Sequence, residues 1–269
     1  MKTISFVKMV AAGNDFIVAD NRRGLLAGSL KTKAVRLCDR KFGIGADGVL
    51  LLESSKKADI RMRIFNPDGS EADMCGNGVR CLSKFAVDQR VVKSGHTVET
   101  GAGIIRSRVA KGLVKALLTT PRDFRDYPKF LVGGRFENVY FLNTGVPQAV
   151  ILVKSVQGLD VFSLGRTLRY HKAFAPHGTN VNFVSVGPDN AIQVRTYERG
   201  VEGETLACGT GSTASALMAA RRHGLRSPVR VRTRGGEKLK VYFSRQNGRF
   251  TDVYLEGLVE NTFEGRVTI

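Results

Sequence analysis

The 269-residue sequence contains no tryptophan, only seven prolines and four cysteines, and far fewer acidic than basic residues. No apolar run approaches the roughly 18 residues of a membrane-spanning helix, so a membrane protein is not expected. The N-terminal segment MKTISFVKMVAAG is interrupted by Lys8, and it predicts a first β-strand rather than a secretion signal. Few cysteines without such a signal predict a cytoplasmic protein with free thiols. Thirty glycines indicate many tight turns.

Acidic residues are scarce enough to leave a formal net charge of +18. Such a charge raises the possibility of a nucleic-acid partner. However, the basic residues are spread along the chain, and the densest stretch, Arg221–Arg234, alternates as a half-exposed strand does. No aromatic residue interleaves there to stack on bases. We therefore predict a basic surface and no specific nucleic-acid partner.

Hydrophobic periodicity predicts a chain of many strands with few helices, in two halves. Helices are predicted over Leu30–Arg40, Asn77–Arg90 and Thr210–His223, the last ending at Gly224. The boundary between the halves is placed near Thr120–Asp123, where proline and polar residues interrupt the hydrophobic periodicity of both helices and strands. The predicted strands are Ile4–Val10, Asp15–Asp20, Val49–Glu53, Ile60–Phe65, Val98–Thr100, Ile104–Val109, Leu113–Leu118, Val139–Leu142, Ala149–Val153, Val181–Val186 and Ile192–Tyr197.

Residues Gly43–Gly48 match the G-x-G-x-x-G fingerprint of dinucleotide-binding proteins. That fingerprint requires a strand before it and a helix after it. Here a predicted helix precedes it and a predicted strand follows, so we interpret it as a glycine turn and predict no dinucleotide cofactor.

Two tetrapeptides carry the strongest functional signal: Cys75-Gly76-Asn77-Gly78 and Cys208-Gly209-Thr210-Gly211. Each precedes a predicted helix, and they lie 133 residues apart. Further identities at the same offset indicate an internal duplication with one cysteine in each half; they are Ala86 with Ala219, Ser94 with Ser227, Val98 with Val231, Thr100 with Thr233 and Gly103 with Gly236.

The repeated motif combines an anion cradle with a reactive sulfur. A helix N-terminus presents unpaired N–H groups and a partial positive charge, and glycine admits a ligand close to the backbone. A cysteine placed there is expected to have a lowered pKa. Two such thiols can serve as base and acid on opposite faces of an amino acid's α-carbon. The helix ends would stabilise the carbanion charge that spreads into the carboxylate, so no electron-sink cofactor is required.

The cysteines also admit other interpretations. A single copy is more often a glycine-rich turn around a small buried residue, but two copies in register favour chemistry. No C-x-x-C pair exists, and the spacing turns Cys81 away from Cys75 on the helix, so no metal site is predicted. Cys38 and Cys81 are interpreted as core residues. A redox protein that joins Cys75 to Cys208 remains a rival.

Five motifs together resemble the diaminopimelate epimerase family. In chain order they are Gly13-Asn14-Asp15-Phe16, Phe65-Asn66-Pro67-Asp68-Gly69-Ser70-Glu71, Cys75-Gly76-Asn77-Gly78, Tyr197-Glu198-Arg199-Gly200 and Ala207-Cys208-Gly209-Thr210-Gly211. The resemblance implies an α/β (α+β) fold of two pseudo-symmetric domains, each a mixed, mostly antiparallel sheet curled around a central helix. We assign residues 1–119 to the first domain and 120–259 to the second, with the strand 260–269 returning to the first.

The same resemblance implies conversion of LL-diaminopimelate to the meso form without pyridoxal phosphate, for lysine and peptidoglycan synthesis. It makes Cys75 and Cys208 the catalytic thiols. The backbone of Gly76, Asn77, Gly209 and Thr210 would cradle the reacting carboxylate, and the side chains of Asn14, Asn66, Asn180, Glu198 and Arg199 would hold the substrate. We also predict a homodimer.

The sequence departs from the family pattern at one segment. Gly145-Val146-Pro147-Gln148 stands where many members have Gly-Asn-Pro-His. Val146 removes an asparagine contact to the distal end of the substrate, and Gln148 cannot titrate as histidine does. An epimerase or racemase of another amino acid is therefore the nearest alternative on the same fold.

Overall fold

The computed structural model describes residues 3–24, 26, 29–132 and 134–268. The chain divides into two compact units, Met1–Leu117 with Gly257–Ile269, and Leu118–Glu256, called here the first and second unit. Among the described residues, none of the helices combines the length and apolar character needed to cross a membrane.

The first unit is a sheet with two helices. Its strands are β1 (Thr3–Ala11), β2 (Asn14–Asp20), β3 (Gly48–Glu53), β4 (Ile60–Phe65), β5 (Glu71–Ala72), β6 (Gly95–Thr100), β7 (Gly103–Ala110), β8 (Leu113–Leu117) and β18 (Glu260–Thr268), and its helices are α1 (Leu30–Cys38) and α2 (Gly76–Asp88). The strands pair in the order β18, β1, β2, β3, β4, β6, β7, β8, and β5 also pairs with β4. Within the described part of this unit, the helix-connected pairs β2–β3 and β4–β6 are parallel and the other pairs are antiparallel.

The second unit repeats this plan. Its strands are β9 (Arg122–Val132), β10 (Arg135–Asn143), β11 (Pro147–Leu152), β12 (Asn180–Gly187), β13 (Ala191–Glu198), β14 (Gly203–Thr205), β15 (Val229–Arg232), β16 (Lys238–Gln246) and β17 (Arg249–Leu258), the last two residues of which fall in the first unit. Its α-helices are α3 (Val161–Arg169) and α4 (Gly209–His223), and Lys172–Phe174 forms a short 3-10 helix. The order is β9, β10, β11, β12, β13, β15, β16, β17, with β14 on β13 and with β11–β12 and β13–β15 parallel.

The two units share strand register as well as strand order. Phe16 pairs with Gly48 in the first unit, and Gln148 pairs with Asn180 in the second, 132 residues later at both positions. The β3–β4 and β12–β13 ladders keep the same spacing. Residues 132 apart on these strands therefore occupy equivalent places in the two sheets.

Each sheet wraps around one helix. Helix α2 packs on strands from β1 to β8, and α4 on strands from β10 to β16. The α2 face with Val79, Leu82, Phe85 and Ala86 is buried, as its periodicity predicts. In α4 all residues from Gly211 to Ala220 are buried and most are small, so the sheet approaches the helix on every side.

Most element predictions are confirmed. Every predicted strand is present, and α2 and α4 begin one residue before their predicted starts. The α1 helix ends at Cys38, and Gly224 caps α4 in the left-handed conformation with φ 71°. Residues Gly43–Gly48 join α1 to β3, as expected of a turn rather than of a dinucleotide fingerprint.

Candidate active site

The two motif cysteines occupy the same local structure in their units. Cys75 and Cys208 are the N-cap residues of α2 and α4, both with extended backbone. The Cys75 Sγ accepts a hydrogen bond from Gly78 N at 3.5 Å, and the Cys208 Sγ accepts one from Gly211 N at 3.3 Å. Each sulfur thus satisfies one of the free N–H groups of its helix. All four cysteines are free thiols.

The last glycine of each motif is closely packed against the sheet, and at Gly211 the packing excludes a side chain. A Cβ at Gly211 would overlap the Asn182 Oδ1 and lie 3.2 Å from the Cys208 Sγ. A Cβ at Gly78 would lie 3.1 Å from the Leu50 Cδ2 and 3.4 Å from the Cys75 Cβ. Glycine therefore lets the helix start lie directly on the sheet beneath it.

In the first unit, Asn14 and Asn77 belong to one directed chain of hydrogen bonds. Arg80 Nη2 donates to Asn77 Oδ1 at 2.8 Å, Asn77 Nδ2 to Asn14 Oδ1 at 2.7 Å, and Asn14 Nδ2 to Asp47 Oδ2 at 3.0 Å. A guanidinium only donates and a carboxylate only accepts, so the chain fixes both amide orientations. Arg40 holds Asp47 in place through a 2.9 Å ion pair.

The remaining first-unit predictions fall near this helix start or at the end of β4. Gly76 is the first residue of α2 and is half-buried, so its backbone is positioned as a helix N-terminus requires. Asn66 follows β4, and its Nδ2 donates to the Ser70 Oγ at 2.9 Å within a tight turn. The Asn66 backbone also pairs with Ser70 there.

In the second unit, the predicted residues gather around the Cys208 sulfur. The Asn180 Oδ1 accepts from Arg199 N at 2.8 Å, which turns the Asn180 Nδ2 toward the Cys208 Sγ at 4.0 Å. The Thr210 Oγ1 lies 3.4 Å from the same sulfur. Glu198 contacts it with its carboxyl group and accepts from the Thr205 Oγ1 at 2.5 Å. Three elements, β12, β13 and α4, therefore converge on one thiol.

Arg199 and Gly209 complete the predicted set in this unit. The Arg199 Nη1 donates to the His177 carbonyl at 3.3 Å, and the side chain is half-buried. A guanidinium has five donors, so further ones are available to a carboxylate ligand. Gly209 is the first residue of α4 and is half-buried.

The expected lowering of the thiol pKa is wrong for Cys208. Burial, and next the charge of Glu198, raise the pKa of Cys208 to about 12, although the Thr210 hydroxyl and the Gly211 N–H act against this rise. The helix terminus stabilises the thiolate, but complete desolvation outweighs it. Burial likewise raises the pKa of the Glu198 carboxyl.

The segment Gly145–Gln148, whose sequence differs from the family pattern, forms the turn between β10 and β11 and the start of β11. Gln148 is fully buried, and its Nε2 donates to the Thr210 Oγ1 at 3.0 Å. Gln148 occupies the place in the second sheet that Phe16 occupies in the first, 132 residues earlier. Val146, which is half-buried, precedes Gln148 by two residues, and Asn14 precedes Phe16 by two residues. Val146 is thus the second-unit counterpart of Asn14.

Sequence reasoning missed several residues that support these contacts: Asp47, Arg80, Asn182 and Thr196. Arg80 is fully buried on α2, and Asn182 and Thr196 are buried on β12 and β13. A signal was available, because Asn182 and Thr196 are polar residues inside otherwise apolar strand patterns.

Comparison with solved structures places the fold. The structure matches a phenazine biosynthesis protein of the PhzF family from Bacillus anthracis with a TM-score of 0.78 and 20% identity, over 100% of both chains. It also matches a hydroxyproline epimerase from Agrobacterium vitis, solved with bound trans-4-OH-L-proline, with a TM-score of 0.70 and 16% identity, over 98% of this chain and 92% of that one. These similarities define the class: a two-domain α+β fold with pseudo-symmetric halves.

Sequence comparison defines the family. The diaminopimelate epimerase family model matches residues 6–115 and 140–257. The diaminopimelate epimerase of Aquifex aeolicus is 41% identical over 98% of both chains. That of Chlorobaculum tepidum is 42% identical over 97% of this chain and 100% of its own. The chain belongs to the diaminopimelate epimerase family, whose members are isomerases, and the resemblance inferred from its motifs is confirmed.

The environment of Cys208 predicts its chemical reactivity. Alkylation by iodoacetamide requires the thiolate, so a raised pKa keeps the rate climbing about tenfold per pH unit beyond pH 9. Removing the neighbouring negative charge with Glu198→Gln should lower that pKa and speed modification of Cys208 at pH 9. Peptide mass spectrometry would follow each site separately, with Cys38 of the first unit as an internal control. A Cys208 rate that levels off below pH 8 would contradict this assignment.

Proposed function

We propose that this protein interconverts LL- and meso-diaminopimelate by moving the α-proton with two cysteine thiols, Cys75 and Cys208. The observation that carries the proposal is the repeated helix start, in which an N-cap sulfur accepts an N–H bond from the third helical residue. Membership of the diaminopimelate epimerase family supports the substrate and the reaction type.

In the proposed reaction, one cysteine acts as a thiolate and the other as a thiol. The thiolate takes the α-proton, and the electron pair of the broken C–H bond spreads into the carboxylate. The thiol then protonates the opposite face of the carbon, so that a new C–H bond forms with inverted configuration. After one turnover the two sulfurs have exchanged protonation states, and no electron leaves or enters the system.

The helix N-termini supply the charge stabilisation for this carbanion. Gly76 and Asn77 open α2, and Gly209 and Thr210 open α4, so their backbone N–H groups are the proposed carboxylate donors. A preorganised donor contributes on the order of 3 kcal/mol to such a transition state. The chemistry therefore requires no electron-sink cofactor.

The raised pKa of Cys208 indicates that it rests as the neutral thiol. A neutral Cys208 is ready to protonate the carbanion, and the reverse reaction requires it to become the base. The donors around its sulfur, Thr210, Gly211 and Asn180, are those that would stabilise that thiolate.

The polar groups that hold the substrate are assigned to Asn14, Asn66, Asn180, Glu198 and Arg199, with Arg199 on the distal carboxylate. Oriented amides offer both donors and acceptors, Glu198 can accept from an ammonium group, and Arg199 can pair with a carboxylate. We further propose a cytoplasmic, homodimeric enzyme of lysine and peptidoglycan precursor synthesis, consistent with its free thiols. Light scattering of the purified protein would measure the dimer.

The reaction is tested by turnover of LL-diaminopimelate in heavy water, with a chelator present and no cofactor added. Early product should carry deuterium at the inverted carbon, because the donating thiol exchanges with solvent. Cys75→Ala and Cys208→Ala should each abolish epimerisation. The matched variants Cys38→Ala and Cys81→Ala should remain active, since these thiols are core residues. Turnover that strictly required pyridoxal phosphate or a metal would refute the proposal.

The substrate assignment is tested at Arg199. Arg199→Lys keeps the charge but loses the two-pronged contact with a carboxylate, so binding should weaken by about 1.5–3 kcal/mol, seen mainly in KM. Arg166→Lys, on the exposed side of α3, is the matched control. A normal KM for the Arg199 variant, or faster turnover of a monocarboxylic amino acid by the wild type, would favour another substrate for the same two-thiol reaction.

A further inference from the structure

A continuous row of buried polar side chains lies beneath the first turn of α4. Thr196 Oγ1 donates to Asn182 Oδ1 at 2.8 Å, Asn182 Nδ2 to Gln148 Oε1 at 2.9 Å, and Gln148 Nε2 to Thr210 Oγ1 at 3.0 Å. Thr196, Asn182 and Gln148 are at most 3% exposed. The row begins inside the sheet and ends at the hydroxyl group beside the Cys208 sulfur.

One backbone contact fixes the direction of every bond in this row. The Asn182 Nδ2 also donates to the carbonyl of Ala149 at 3.0 Å. A carbonyl can only accept, so the amide nitrogen of Asn182 must lie on that side. The same nitrogen faces Gln148, which must therefore present its oxygen to Asn182 and its nitrogen to Thr210. The orientation of both amides follows without an arbitrary choice.

This direction leaves the Thr210 proton available to the sulfur. The Thr210 oxygen accepts from Gln148, and against a Cys208 thiolate, which can only accept, the Thr210 O–H is the donor. The Cys208 Sγ lies 3.4 Å from that oxygen. The row therefore ends with a donor aimed at the sulfur, beside the N–H of Gly211 at 3.3 Å. Glu198 on β13 is the titratable group in contact with this sulfur.

The first unit shows that the fold does not require these polar residues. At the strand positions 132 residues earlier it has Phe16, Leu50 and Ile64, which are buried in an apolar core. Burying amides and hydroxyls is unfavourable unless every group finds a partner, and apolar residues serve the same positions in the first unit. The polar row is thus specific to the helix that carries Cys208.

We propose that Gln148, Asn182 and Thr196 are positioning residues that hold the Thr210 hydroxyl as a hydrogen-bond donor to the Cys208 sulfur. The row stabilises the Cys208 thiolate, which is the form in which Cys208 acts as the base. This role in catalysis rests on the proposed function, whereas the effect on the thiol itself does not. Asn182 also lies against Gly211, which ties the glycine of the motif to the same row.

The experiment measures the alkylation rate of Cys208 as a function of pH, site by site, in the full-length protein. Thr210→Val removes the final donor, and Gln148→Met removes the contact that directs it, with little change in volume. Each should slow alkylation at a fixed pH below the thiol pKa by about threefold to tenfold, the worth of one neutral hydrogen bond. Gln148→Met should add nothing in the Thr210→Val background, and Thr210→Ser should restore the wild-type rate.

Ser185→Ala provides the control, because Ser185 is buried on the same strand as Asn182 but outside the row. Its Cys208 rate should equal that of the wild type. Thr210 is only half-buried, so Thr210→Val and Thr210→Ser should both fold. These two variants test the proposal even if Gln148→Met does not fold. An unchanged rate in Thr210→Val, or fully additive effects of the two substitutions, would overturn the proposal.

The readout separates this proposal from the proposed function. Alkylation reports the state of the sulfur whether or not diaminopimelate is turned over. If the protein is an epimerase, Gln148→Met should also lower kcat/KM, and by the same factor in both directions, because a substitution cannot change the equilibrium constant between the two stereoisomers. A wild type without epimerase activity would refute the function, and the alkylation series would still confirm or refute the row.

Discussion

In each unit a cysteine sulfur caps a helix, and the rest of the unit is arranged to make that contact possible. The N–H of Gly78 points at the Cys75 sulfur, and the N–H of Gly211 points at the Cys208 sulfur. A side chain at the third helical position would overlap Asn182 in the second unit and would press against Leu50 in the first. The contact also requires a helix enclosed by its sheet, so that the helix start and the strand ends meet. Two helix-connected parallel crossovers in each unit provide this arrangement.

The duplicated scaffold is used differently in its two copies. Below α2 the sheet is apolar at Phe16, Leu50 and Ile64, whereas below α4 the equivalent positions hold Gln148, Asn182 and Thr196. Around α2, orientation is supplied by a chain that runs from Arg80 to Asp47 and fixes Asn14 and Asn77. Each copy therefore retains the helix-capping thiol but fixes its polar neighbours by separate means.

The sequence predicted the secondary structure well where burial follows a regular period. It missed β9, an edge strand whose residues are mostly exposed and which contains Pro128, so no alternation is visible. It also missed α3, where Gly165 weakens the helical pattern; a Cβ there would lie 2.5 Å from the Tyr197 Cβ, a tertiary contact that no local pattern reveals. At the site, the repeated motif predicted that each cysteine lies at a helix N-terminus and that the helix N–H groups act on its sulfur. The burial of Cys208, which reverses its pKa shift, depends on residues distant in sequence and could not be predicted.

The most direct test of the two-thiol account is α-proton exchange in heavy water by the single variants Cys75→Ser and Cys208→Ser, followed by NMR on each stereoisomer. Each variant keeps one thiol, and each thiol is assigned to one face of the α-carbon. The account predicts that each variant exchanges the proton of one isomer only and that the responsive isomer differs between the two variants. Exchange of the same isomer by both variants, or of both isomers by either one, would contradict it.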